Sequence, residues 1–239
     1  MGYRFRIKNI IFMITRLVKY NLKIIFANKF IYFLSAAIIF FLLVTILNLA
    51  SSDSDPTAGL VYFWLLVPGI LLIFYPTVFG IQNDVDTRMI EILFGIPNYR
   101  YKVWLVRMLL IYVVVFVILL ILSFLSSLAL IQIEIFEMVL QLMFPIFFLG
   151  CLAFMTSTLT KNGNGTAVVM VVIGMFFWIG TGFLPHKFNL FLNPFSAPSD
   201  VSEIVWADMA FNNRIYIFVL TLIWVLVGLI MMQKREKFV

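Results

Sequence analysis

The sequence predicts an all-α, polytopic membrane protein with six transmembrane helices, and three observations carry that expectation. Of 239 residues, 64% are apolar and only 12% charged, against about 25% charged in a soluble domain; mean hydropathy is +1.10. The apolar residues gather into six runs, 30–49, 60–81, 103–131, 138–159, 166–184 and 215–232, each near the roughly 20 residues a helix needs to cross a bilayer. The charges between them are sorted by sign. With both termini inside, the cytoplasmic stretches hold 15 of 17 lysines and arginines and 4 of 11 acids, as the positive-inside rule requires. The expected product is one transmembrane domain, 1–239, in the cytoplasmic (inner) membrane, with cytoplasmic N- and C-termini.

Residues 1–29 carry seven basic side chains and no acid. On a helical wheel Arg4, Lys8, Arg16, Lys19 and Lys23 share one face, while Ile7, Ile10, Ile14, Leu17, Ile24 and Ile25 share the other. Arg6 and Phe12 are misplaced in that pattern. It fits an amphipathic helix lying in the lipid interface. A cleaved signal peptide would need a shorter basic region and a small-residue cleavage site.

The first span ends in an acidic outer turn with Asp53 and Asp55, and the second contains Pro68 and Pro76. A charged interruption, 82–102, follows. Asn83 or Asp84 can cap a helix over 83–96 in which Asp84, Arg88 and Glu91 fall on a polar face and Val85, Met89 and Ile92 on an apolar one. Gly95 and Pro97 stop it. Arg107, one turn into the third span, is expected to snorkel to the cytoplasmic headgroups. Glu134 and Glu137 mark the next outer turn, and the turn at 160–165 has Asn and Gly to accept positive φ.

The outer connection, 185–214, is too apolar for a solvated loop, with Phe188, Phe191, Phe195 and Trp206 among its residues. It is expected to be re-entrant or interfacial, either a cap over the spans or an outer gate. Asp200 and Glu203 have the spacing of a capping pair before a short helix starting near Val201.

Several chemistries are missing. No GxxxxGK[ST] loop occurs, so any ATP use needs a partner. One histidine, His186, and one cysteine, Cys151, give no metal-ligand set and no nucleophile–base pair. The chain is therefore not expected to be an enzyme, and no catalytic or metal-binding residue is assigned. The net charge of +6 is accounted for by topology, without nucleic acid. No ionisable residue falls mid-span, which disfavours proton or sodium coupling.

The chain resembles the membrane subunits of type-2 ATP-binding-cassette (ABC) exporters over its whole length: a basic amphipathic N-terminal helix, an inner helix between spans two and three, and a long apolar outer segment before the last span. The most specific match is AspValAspThrArgMetIleGluIleLeuPheGlyIlePro, 84–97. Its Glu91, Leu93 and Pro97 fit the family's Glu-x-Leu then Pro pattern, while Arg88 follows Thr87 where a Gly-Thr pair is common and Asp86 replaces glutamate.

The resemblance implies a permease (ABC transporter) subunit without cofactors of its own. It would pair with a second permease subunit, identical or related, and with two cytoplasmic ATPase subunits that bind ATP and Mg. The segment 83–96 becomes a coupling helix: Asp84, Asp86, Arg88 and Glu91 make charge-assisted contacts with the ATPase, Met89 and Ile92 fill an apolar groove, and Pro97 ends it. Family analogy also offers Phe63, Trp64 and Phe74 as substrate-pathway residues. The shortage of charge favours a hydrophobic or amphipathic substrate. An ion-coupled or passive carrier, and a non-transporting scaffold working with an ATPase, are the alternatives.

Overall fold

A computed structural model describes residues 29–50, 56–86 and 100–232, for 100–102 the backbone alone. The expected interfacial helix of 1–29 lies almost wholly outside the described residues, as do Arg88, Met89, Glu91, Ile92 and Pro97. The described residues contain helices and no strand. They are α1 Phe30–Ala50, α2 Ala58–Val78, α3 Gly80–Asp86, α4 Val106–Ala129, α5 Ile135–Thr160, α6 Gly163–Gly180 and α7 Glu203–Met231. A π-helical turn, Arg100–Leu105, leads into α4. Six helical stretches among the described residues are long and apolar enough to cross a membrane.

Residue pairings fix the directions. Arg107 of α4 meets Asp84 beyond the end of α2, and Tyr112 of α4 meets Cys151 of α5, so α4 runs against both. Ser157 of α5 reaches Val78 of α2, and Arg214 of α7 reaches Gln141 of α5 and Tyr62 of α2. Helices α2, α5 and α7 therefore run together, and α4 against them. The centre is α5, with 72% of its apolar 18-residue window buried, then the Ala58–Asp86 stretch of α2 and α3 with 56%. α1 and α6, at 22% each, turn Ile39, Leu47, Val172 and Phe176 outward. In a membrane that is the lipid-facing pattern, because apolar surface there loses nothing by staying exposed.

Helix association in lipid depends on close van der Waals fit rather than on expelling water. Gly150 provides it at the centre: a Cβ there would overlap the Tyr112 hydroxyl and lie 2.7 Å from Ile73 Cγ1. That hydroxyl also contacts Cys151 Sγ at 3.2 Å and donates to Phe147 O at 3.1 Å. Gly150→Ala is expected to separate α2, α4 and α5, at a cost of about 1–3 kcal/mol as for other overpacked cores. Thermal unfolding of the purified chain in micelles will show this as a lowered Tm.

Three expectations about boundaries are corrected. The second span, which runs through Ala58–Asp86, is interrupted at Phe79, between α2 and α3. Asn83 and Asp84 thus lie inside α3 rather than capping a helix that begins with them; Phe79 O accepts from Asn83 N at 2.9 Å. In the turn before α6 the positive-φ residue is Lys161 (φ 55), not glycine or asparagine, and Asn162 caps α6 by accepting from the backbone N–H groups of Asn164 and Gly165. The last helix starts at Glu203, with Ser202 as N-cap and no side-chain capping bond. The outer connection therefore shortens to residues 181–202, and the short helix expected near Val201 is the first part of α7.

Candidate functional site

Two buried polar clusters stand at opposite ends of the bundle. The first surrounds α3, the seven-residue helix after the second span. Its start is fixed by α5, because Ser157 Oγ donates to Val78 O at 3.1 Å and so satisfies a carbonyl at the end of α2 that has no partner within its helix. Gln82 Oε1 accepts from the Gly163 amide at the start of α6. Only glycine permits that approach, since a Cβ on residue 163 would overlap the Phe79 ring and sit 2.6 Å from Gln82 Oε1. Asn83 Nδ2 donates to the Tyr75 hydroxyl at 3.3 Å.

The strongest tie joins α3 to α4. Arg107 Nη1 donates to Asp84 Oδ2 at 2.7 Å, with both side chains almost fully buried. The guanidinium also stacks 4.7 Å from the centroid of Trp104, whose ring packs against Phe154 of α5 at 5.9 Å. Nε of Arg107 and Nε1 of Trp104 have no partner among the described residues. The expectation that Arg107 snorkels to headgroups is corrected: it is 5% exposed. Asp84, expected on an outward polar face, is 2% exposed and turned into the bundle. Asp86 does face outward, accepting from Gln82 Nε2 at 3.4 Å.

The second cluster was not foreseen. Arg214, assigned from sequence to the outer connection, lies within a continuous helix and is 4% exposed. Its Nε donates to Gln141 Oε1 (2.9 Å), Nη1 to Asn213 Oδ1 (2.9 Å), and Nη2 to Tyr62 OH (3.2 Å) and Leu192 O (3.1 Å). Asn213 Nδ2 donates in turn to the carbonyls of His186 (2.8 Å) and Asn189 (2.9 Å). Asn193 Nδ2 donates to Gly59 O (2.8 Å), and Trp206 Nε1 to Asn193 O (3.2 Å). Residues 185–202 are thus laced as a cap onto α2 and α7. Arg214, Arg107 and Asp84 are buried ionisable side chains near the ends of the bundle.

His186 is exposed and edge-on to Trp206, with centroids 5.4 Å apart. Among the described residues no group of acids, histidines and cysteines could hold a metal ion. Of the three pathway candidates, Phe74 lines an apolar cavity of about 330 Å³ between α2, α5 and α6, with Met170, Trp178 and Phe191 also in its wall. Phe63 packs on Trp178 at 6.2 Å. Trp64 is half-buried and lines neither that cavity nor the cleft beside Phe63.

No protein-family model matches the chain, and neither the curated proteins nor the solved structures contain a match to it.

Proposed function

We propose that the chain is the permease subunit of an ATP-driven exporter of the type-2 ABC kind, moving a hydrophobic or amphipathic substrate across the cytoplasmic membrane. The observation that carries this reading is the buried Asp84–Arg107 pair. A loop helix that merely joined two spans would have no need to draw two charges out of water, which costs several kcal/mol per ion before their attraction repays it. Here the pair and the Gln82–Gly163 bond tie α3 to α4 and α6, while the Ser157–Val78 bond holds the end of α2, just before α3, to α5. Force applied to the segment that follows α3 would reach four helices.

Two cytoplasmic ATPase subunits binding ATP and Mg would supply that force, and a second permease subunit would complete the pathway. Within the segment 83–96, Asp86 is the described acid that faces outward, and Arg88, Met89, Glu91, Ile92 and Pro97 follow it in the sequence as the remaining proposed ATPase contacts. Asp84 transmits rather than touches. The cavity beside Phe74 suits apolar cargo, its wall being built from aliphatic, aromatic and methionine side chains with Thr77 as the polar exception. The sorting of basic residues supports cytoplasmic termini. An ion-coupled carrier is less well supported, since the acid buried in the described bundle, Asp84, is already bound to arginine.

Glu91→Lys and Met89→Asp are expected to leave the permease folded, with unchanged Tm, while ATP hydrolysis by the assembled complex stops depending on the permease. Hydrolysis rates of the complex in nanodiscs check this. Wild-type dependence in both variants would contradict the coupling role.

A further inference from the structure

We propose that the groove beside Arg214 is a phospholipid site, with the lipid phosphodiester on the guanidinium and an acyl chain along the α5–α7 surface. This holds whether or not the chain works with an ATPase. A guanidinium has five N–H donors. Four of the five in Arg214 go to neutral acceptors, Gln141, Asn213, Tyr62 and Leu192. The fifth, on Nη1, has no acceptor among the described residues, and no carboxylate there pairs with Arg214. A buried cation held by neutral groups keeps its full charge, and an un-neutralised charge away from water attracts an anion strongly.

Arg214 forms part of the wall of a cleft of about 420 Å³ between α5 and α7, with Gln141 and Phe144 on one side and Phe211, Ile215 and Phe218 on the other. Phe211, Ile215 and Phe218 are 65%, 47% and 45% exposed, so the cleft is bordered by exposed apolar surface on which an acyl chain can lie. Depth agrees with a headgroup. Tyr62 and Gln141 lie four and six residues into α2 and α5, or about 6–9 Å along the helix, close to where phosphate meets the acyl region of a bilayer. Glu137, exposed and also lining the cleft, opposes a second negative charge and favours a singly charged phosphodiester.

The test titrates the full chain, purified in a nonionic detergent, with phosphatidylglycerol, with diacylglycerol of the same chains, and with inorganic phosphate, reading Tm and lipid retained in native mass spectrometry. Phosphatidylglycerol is expected to raise Tm and be retained, and the other two are not. Arg214→Gln tests the charge. Because that change also disturbs the cap, Ala207→Trp tests the site separately: Ala207 is exposed, lines the cleft and takes no part in the arginine bonds. Both variants are expected to weaken phosphatidylglycerol binding by about tenfold or more, the worth of a charged hydrogen bond. Equal stabilisation by diacylglycerol, equal stabilisation by inorganic phosphate, or undiminished binding in Ala207→Trp would each overturn the proposal.

Discussion

Arg107→Met will cost about 3–5 kcal/mol, the usual penalty for leaving one member of a buried ion pair without the other. Asp84 would keep a carboxylate at 2% exposure without the guanidinium that now donates to it at 2.7 Å. Trp104 would lose the cation above its ring. Asp84→Asn destabilises for the converse reason, by leaving the arginine charge without its carboxylate. The double variant, Asp84→Asn with Arg107→Met, is expected to be more stable than the two single costs added together predict, by about 0.5–3 kcal/mol, the range for residues in direct contact. Unfolding in mixed micelles, followed by the accessibility of buried Cys151 to a thiol reagent, measures all three. Single variants as stable as wild type would mean that the pair does not hold α3 to α4. Under the proposed coupling role the double variant also separates fold from function, since a chain that folds but no longer connects α3 rigidly to α4 should lose transmission alone.

Arg214→Met will have a comparable effect at the other end, on the order of 3–5 kcal/mol, because three buried acceptors and the half-buried Gln141 lose their donor, at about 1–3 kcal/mol for each buried one without full additivity. Gln141, Asn213, Tyr62 and Leu192 are the groups affected. The loss should be local at first. The cap over 185–202 depends on Arg214 through Leu192 O and on the neighbouring Asn213 for three further carbonyls, so it should loosen before the spans separate. Exposed Lys187 offers a cleavage point, and limited trypsinolysis should cut there faster in the variant. Tyr62→Phe, which removes one acceptor, should cost only about 1 kcal/mol. If trypsin cut wild type and Arg214→Met at equal rates, the arginine would not be what fastens the cap.

The spans were legible because a membrane helix announces itself by what it lacks: some 20 residues without charge need no partner to be recognised. The break at Phe79 had its signs in Pro76 and Gly80, either side of it. The early start of α7 was hidden by Asp208 and Arg214, which lower the apolar character of a run that nevertheless has no proline or glycine from Ser202 to Val227. Helix continuity follows the backbone, and hydropathy follows the side chains. The polar clusters were illegible for another reason. Arg214 meets Gln141 and Tyr62 across 73 and 152 residues of chain, and Arg107 meets Asp84 across 23. No local spacing encodes such pairs. An arginine next to a long apolar helix was the available sign, and it reads equally as a headgroup anchor until its partners are placed.

The most direct test of the central claim is to purify the full chain from its native membrane under conditions that keep complexes intact, identify the bound subunits by mass spectrometry, and measure ATP hydrolysis. The account predicts a stoichiometric partner carrying a GxxxxGK[ST] loop, with hydrolysis that Glu91→Lys in this chain uncouples. A stable assembly that contains no nucleotide-hydrolysing subunit would contradict it.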